Sequence, residues 1–142
     1  TESNYYQYVT AFSKICSSCK KFKASRIRIS GYKNCLEIET ILHDEVSGNI
    51  DRIVKPGLVS TSISLENSDD IVIKDENEIP IQTIFVNPNI VKSLSRLCNL
   101  CIENSVVEFF VEESKPIKLS CLISNSGKLD IYLRNDLELD PQ

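Results

Sequence analysis

The sequence predicts one α+β domain, in which two amphipathic helices pack on one face of a mainly antiparallel, curved sheet. Two segments repeat apolar residues at intervals of three and four, which is typical of amphipathic helices. Much of the remaining chain consists of short stretches in which apolar and polar residues alternate, as in half-buried strands. The length of 142 residues, with 42% hydrophobic and 25% charged residues, fits one globular domain.

The first helix is predicted over residues 5–22, with Ser3 or Asn4 as its cap. Apolar residues that include Phe12 and Cys16 occupy one face of this helix, and lysines and serines occupy the other. We therefore expect the helix to bury its apolar face and to expose a basic one.

The second helix is predicted to begin at Pro88 with Asn87 as its cap, because proline is favoured at the first helical position. Its apolar stripe starts at Ile90 and continues to Cys101. Lysine, serine and arginine residues lie on the opposite side, so this helix should also expose a basic face.

Strands are predicted between the two helices and after the second one. The predicted strands cover residues 26–30, 35–41, 49–54, 58–65, 71–74, 82–86, 106–112, 117–123 and 129–133. Gly31 is expected to adopt a positive φ in the turn after the first strand, and Asn-Ser-Gly at residues 125–127 predicts a hairpin turn. We place the domain at residues 1–133 and expect residues 134–142 to form a loose, acidic tail.

The charges of the chain are distributed unevenly around a net charge of −4. Residues 1–35 contain seven basic residues and one acidic residue, whereas residues 36–142 contain nine basic and nineteen acidic residues. Because salt screens charges beyond about 10 Å, an acidic protein can still present one basic face to a polyanion. The alternative is a solvated helix face that binds nothing.

The six cysteines include two Cys-x-x-Cys pairs, Cys16/Cys19 and Cys98/Cys101, which have the spacing of zinc-ligand pairs. The two pairs are far apart in the sequence and fall inside predicted helices, where cysteine behaves as a small apolar residue. We therefore expect no metal and no cofactor, and a zinc-binding domain that uses these four thiols is the weaker alternative.

Residues with catalytic chemistry are sparse. The single histidine, His43, lies in an acidic predicted turn, and the sequence has neither a glycine-rich phosphate loop nor a paired-carboxylate motif. No apolar run approaches the roughly 20 residues of a membrane-spanning helix, and no secretory leader is visible. We therefore expect that the protein is not an enzyme, has no catalytic residues and has no membrane partner.

Several short motifs follow the order and spacing of one known family. Residues 12–16 read Phe-Ser-Lys-Ile-Cys, which is similar to the family's Phe-x-Arg-Ile-Cys, and residues 47–50 contain its Gly-Asn-Ile. Residues 91–96 match its second helix, and residues 127–133 match its last strand. The chain therefore resembles the carboxy-terminal domain of the eukaryotic sliding clamps, the proliferating cell nuclear antigen family.

The resemblance implies a DNA-clamp fold and a role as a polymerase processivity factor. Clamps of this family form rings that encircle duplex DNA, tether DNA polymerase and other replication and repair proteins, and line the ring with basic helices. The implied DNA contacts, with their neighbours on the same helix faces, are Lys14, Lys20, Lys21, Lys92 and Arg96. Contacts with phosphates give affinity without sequence information, which suits sliding.

Partners of the family dock short peptide motifs, with a glutamine and aromatic residues, near the domain junction. The positions that match this pocket are Pro116, Tyr132, Leu133, Arg134 and Asn135. Arg134 and Asn135 replace the family's Ala-Pro, which is a departure within the pocket itself.

Ring closure in the family pairs an edge strand with the next clamp subunit. We expect this subunit edge at residues 58–65, through Val59, Thr61 and Ile63. The resemblance also implies that the chain is the C-terminal half of a longer clamp subunit and acts in the nucleus or in a viral replication compartment. A clamp-fold checkpoint or adaptor subunit, which would act as a protein-interaction scaffold, is the alternative.

Overall fold

A computed structural model of the chain describes residues 1–21, 23–55, 73–124 and 127–136. The helices and strands in these residues are β1 (Glu2–Tyr8), α1 (Val9–Lys21), β2 (Arg26–Gly31), β3 (Cys35–Ile41), β4 (Ser47–Val54), β5 (Gln82–Val86), α2 (Pro88–Cys98), β6 (Val106–Glu112), β7 (Ile117–Ile123) and β8 (Gly127–Leu133). The α+β class is confirmed. The strands, however, form two four-stranded antiparallel sheets rather than the one sheet that was predicted.

The described elements form two copies of one unit. Each unit consists of a strand, a helix and three further strands, and the second unit begins at β5. Sheet A has the strand order β1-β6-β7-β8, and sheet B has the order β4-β3-β2-β5. The first strand of each unit therefore joins the three strands of the other unit. This exchange makes each sheet depend on both halves of the sequence.

The two helices lie side by side, and their apolar faces join the inward faces of both sheets in one core. Phe12 of α1 packs edge to face against Phe109 of β6, with ring centroids 5.3 Å apart. Full burial of a large apolar side chain stabilises a fold by about 1.5–3 kcal/mol. The core therefore fixes which face of each helix remains exposed.

The first helix begins later than the sequence predicted. Residues 2–8 form β1, which pairs with β6 along its whole length, and α1 starts at Val9. Tyr5 points inwards with no exposed surface, and its hydroxyl donates a hydrogen bond to the carbonyl oxygen of Tyr32. Ser3 and Asn4 therefore lie in a strand and do not cap a helix. The prediction was wrong because the spacing of the tyrosines fits the period of a helix as well as that of a strand, and aromatic residues favour strands.

The second helix begins as predicted and ends earlier. The side-chain oxygen of Asn87 accepts a hydrogen bond from the backbone N–H of Asn89 at 2.9 Å, which confirms the cap. Cys101 lies beyond the end of α2 and forms an isolated antiparallel bridge with Ile123 of β7. Ile90, which was predicted on the apolar stripe, is 37% exposed.

Gly31 serves close packing rather than a turn. Gly127 has a positive φ of 89°, whereas Gly31 lies in β2 without a positive φ. A Cβ atom on Gly31 would lie 2.6 Å from Cγ1 of Val111 in β6. The missing side chain therefore lets sheet B approach sheet A at this point.

The remaining predicted strands from β2 to β8 agree with the structure to within two residues at each end. The strand predicted at residues 58–65 lies outside the described residues, as do residues 71 and 72. Ile73 and Lys74 are not in a strand. Neither helix in the described ranges has the length and apolar character that crossing a bilayer requires.

The start of the predicted loose tail is held against sheet B. The backbone N–H of Asp136 donates to the carbonyl oxygen of Phe85 at 2.8 Å, and the Asn135 side-chain oxygen accepts from the Phe85 N–H at 2.8 Å. The prediction is therefore wrong for these two residues. Residues 137–142 lie outside the described part of the chain.

Candidate nucleic-acid interface

The exposed faces of α1 and α2 adjoin and carry all five cations that were predicted to contact DNA. These residues, the helix cations, are Lys14, Lys20, Lys21, Lys92 and Arg96. Each of them is exposed, and each helix buries its opposite face in the core. The predicted separation of basic and apolar faces is therefore confirmed, although DNA contact itself stays a prediction.

Neither helix contains a carboxylate. Together α1 (13 residues) and α2 (11 residues) hold the five helix cations and no acidic residue, although the chain contains 20 acidic residues. No helix cation lies within 4 Å of a carboxylate oxygen from any described residue. The cations that form ion pairs in the described part of the chain are Arg26, Arg28, Arg52 and Lys115. An exposed cation without a neighbouring carboxylate can neutralise a phosphate, and this contact gives affinity because it releases counterions condensed on the nucleic acid.

A polar contact joins the two exposed helix faces. Nζ of Lys20 lies 3.4 Å from Oγ of Ser95 across the helix pair. Nearby, a cavity of about 190 Å³ between the end of α1 and the start of α2 is lined in part by Lys20, Lys23 and Lys92. Lys23 is exposed and was missing from the predicted contacts. The basic run formed by Lys20, Lys21 and Lys23 in the sequence could have indicated that Lys23 lies next to the helix cations.

The cysteines on the helices belong to the core. Burial raises the pKa of Cys16 to about 12, and it raises the pKa values of Cys19 and Cys98 to about 11. These thiols therefore stay protonated at neutral pH and pack as small apolar groups. Cys101 is half-buried outside α2. Within the described ranges, no group of three or more His, Cys, Asp or Glu side chains is arranged to hold a metal ion.

The residues that match the family's partner pocket border two cavities on either side of Tyr132. A cavity of about 340 Å³ is lined by Leu133, Arg134 and Asn135, and one of about 640 Å³ includes Pro116. Tyr132 lines both cavities and is 58% exposed. We call this pair of cavities, with Tyr132 between them, the Tyr132 groove.

Two of these residues differ from what the sequence suggested. Leu133 is buried and contributes mainly to the core. The side chain of Asn135 is hydrogen-bonded to the backbone of Phe85, so it holds the segment after β8 in place. Of the five matched residues, Tyr132, Arg134 and Asn135 are exposed, and Pro116 is half-buried.

The predicted subunit edge, at Val59, Thr61 and Ile63, lies outside the described residues. Among the strands that the structure describes, the outermost are β4 and β5 in sheet B and β1 and β8 in sheet A. β4 carries one exposed apolar side chain, Ile50, which is 48% exposed.

Compared with protein-family models and with curated proteins, the sequence gives no match. What the chain does must therefore be inferred from its geometry, its charges and the motifs of its sequence.

Proposed function

We propose that this chain is a domain of a DNA sliding clamp of the proliferating cell nuclear antigen family, with the DNA-clamp fold. The observation that carries the proposal is the pair of adjacent helices whose exposed faces hold five cations and no carboxylate, and none of these cations forms an ion pair with a described residue. In a chain with more acidic than basic residues, this distribution favours a polyanion as the ligand of that face.

The positions of the family-like motifs support this proposal. The motif at residues 12–16 lies on α1, where Lys14 is exposed and both Phe12 and Cys16 are buried. Residues 91–96 lie on α2, where Val91 and Leu94 are buried and the basic residues are exposed. Both motifs thus divide into a core half and a solvent half, as a DNA-facing helix layer requires.

Such a surface suits sliding along duplex DNA. Lysine and arginine side chains bind phosphates through charge and do not read bases, so each position along the duplex is nearly equivalent. Lysine also keeps its charge on a flexible stem with freely rotating donors. The domain would therefore hold DNA without a fixed register and without catalysing a reaction.

In the same proposal, replication and repair proteins dock at the Tyr132 groove, and other clamp subunits close the ring. An outermost strand has unpaired backbone groups that a neighbouring subunit can complete. Among the described strands, β4 and β8 lie at corresponding places in the two repeated units, at the far end of each sheet. A nuclear or viral replication compartment is the expected location.

Binding to a fluorescent duplex at low salt tests the proposal. The double variant Lys14→Glu plus Arg96→Glu should lower the affinity by about 100-fold, since it removes two phosphate contacts and adds two repulsions. The matched control is Lys33→Glu plus Lys128→Glu, which makes the same charge change at exposed positions outside the helices. It should stay within about threefold of the unmodified chain.

Equal losses in the two double variants would refute a DNA-specific helix face, because only net charge would then matter. An unmodified chain that does not bind DNA would favour the adaptor alternative.

A further inference from the structure

Two cysteines meet where the segment after α2 pairs with β7. Cys101 forms an isolated antiparallel bridge with Ile123, and backbone hydrogen bonds of 2.9 and 3.2 Å on either side of Cys101 hold this bridge. Bridge partners project to the same face of a sheet, and every second residue of a strand does the same. Cys121 precedes Ile123 by two residues in β7, so it shares a face with Cys101.

The two thiols interact directly and differ in exposure. The side chain of Cys121 is hydrogen-bonded to that of Cys101, and burial and then this hydrogen bond raise the pKa of Cys121 to about 12. The Cys101 sulfur also lies 3.5 Å from the carbonyl oxygen of Leu97. Cys121 is 5% exposed, whereas Cys101 is half-buried. A reagent in the solvent therefore reaches Cys101 before Cys121.

A bond between the two sulfurs requires only a small backbone movement. A disulfide spans about 4.4–6.8 Å between Cα atoms, and diagonal neighbours on antiparallel strands lie about 7–8 Å apart. Cys101 lies beyond the end of α2 and outside the strands, in a segment that an isolated bridge connects to β7. This segment can therefore approach β7 without unfolding a helix or separating a sheet.

Position in the fold selects this pair from the six cysteines. All six lie in the described ranges as free thiols, and Cys101 is the only one that is not buried. Cys98, which shares the Cys-x-x-Cys motif with Cys101, lies on the buried face of α2. The partner of Cys101 is therefore Cys121 from a different element, which the spacing of the motif does not indicate.

We propose that Cys101 and Cys121 form a disulfide when the chain meets a peroxide, and that this bond fastens the end of α2 to β7. The Cys101 sulfur attacks one oxygen of hydrogen peroxide and breaks the O–O bond, which gives a sulfenic acid and water. The Cys121 sulfur then attacks the Cys101 sulfur, and the hydroxyl leaves as water with the proton of Cys121. The two thiols together lose two electrons, and the peroxide becomes two molecules of water.

Oxidation of the full chain with hydrogen peroxide tests the inference. Mass spectrometry of unreduced peptides should find Cys101 joined to Cys121 with the loss of two hydrogen atoms, and dithiothreitol should release the cross-link. A disulfide restricts the unfolded chain, so the oxidised protein should be more stable to urea than the reduced protein. We expect an equilibrium constant for folding about tenfold larger, because the backbone movement offsets part of the gain.

Serine variants identify the two sulfurs. Cys101→Ser and Cys121→Ser should each abolish the cross-link and the gain in stability on oxidation. Cys98→Ser is the matched control, because it removes a neighbouring thiol and leaves the proposed pair intact. Both effects should therefore remain in Cys98→Ser.

Three results would overturn the inference: a cross-link between Cys98 and Cys101, oxidation of Cys101 without a cross-link, or a cross-linked chain that is no more stable than the reduced one. Peptide mapping of the unmodified chain needs no variant, so it decides the question even if a serine variant does not fold. None of these measurements involves DNA, so their outcome is independent of the proposed clamp function.

Discussion

The outward face of sheet B and the exposed faces of the helices both carry several cations, but among the described residues only the cations of sheet B form ion pairs. The pairs of sheet B and its β3–β4 turn are Arg26–Glu45 (2.6 Å), Arg28–Glu39 and Arg52–Glu37 (2.6 Å). The helix cations have no such partners among the described residues. In this comparison the cations of sheet B connect neighbouring parts of the sheet, whereas no carboxylate of a described residue competes with an external anion for the helix cations.

Alkaline pH should disrupt the helix layer before the ion pairs of sheet B lose their charges. Cys16, Cys19 and Cys98 have pKa values raised from 9.0 to about 11 or 12 by burial, so only the unfolded chain ionises them near pH 9. The folded state then binds more protons, and stability falls as pH rises above about 9, by up to about 1.4 kcal/mol per pH unit for each thiol. Urea unfolding at pH 8, 9 and 10 measures this loss.

Burial also raises the pKa of Tyr5, from its ordinary value of 10.0 to about 12. Because pH 10 is the upper end of the measured range, the thiols rather than Tyr5 should dominate the loss. The variant Cys16→Ala should show a shallower pH dependence. A stability that is constant from pH 8 to 10 would contradict the burial of these thiols.

Arg28→Gln should lower stability without changing DNA affinity. The substitution leaves Glu39, which is 8% exposed, without its cationic partner. We expect a loss of about 1–3 kcal/mol, below the cost for a fully buried pair because 41% of the Arg28 side chain is exposed. Urea unfolding at pH 7 gives the loss, and duplex binding provides the control. An unchanged midpoint would show that sheet B does not depend on its ion pairs.

In contrast to Arg28→Gln, Lys14→Gln should lower the affinity for DNA without lowering the stability of the fold. Because Lys14 is exposed and forms no ion pair with a described residue, its removal should change stability by less than about 0.5 kcal/mol. Duplex affinity at low salt should fall by about threefold, as expected for the loss of one phosphate contact. The same urea and anisotropy measurements apply. A large loss of stability with unchanged affinity would place Lys14 with the structural cations.

Ser95→Ala should have the smallest effect. It removes the 3.4 Å contact with Lys20, which is exposed, and alanine has the higher helix propensity. Stability should change by less than about 0.5 kcal/mol, and duplex affinity should stay the same. A loss of DNA affinity in Ser95→Ala would mean that this contact positions Lys20 for the phosphate.

Local patterns in the sequence were enough to predict most elements and the exposed cations. The period of 3.6 residues places Lys14 opposite Phe12 and Cys16 whatever the helix packs against, so burial of one face exposes the other. Strand alternation gave β3, β5, β6 and β7 with the boundaries found in the structure. These features depend only on neighbouring residues.

Features that depend on distant partners could not be predicted in this way. β1 was missed because its strand state comes from pairing with β6, about a hundred residues away in the sequence. The need for Gly31 comes from Val111 in the other sheet, and the role of Asn135 comes from Phe85, which is 50 residues distant. No local pattern carries such contacts, which is also why two sheets were predicted as one.

The salt dependence of duplex binding tests the central claim most directly. In the variant with all five helix cations changed to glutamine, the magnitude of the slope of log K against log salt concentration should fall by about 0.9 for each lost phosphate contact, or about 4.5 in total. Circular dichroism and urea unfolding should show that the variant remains folded. A folded variant with the slope of the unmodified chain would contradict the assignment of these helices to DNA.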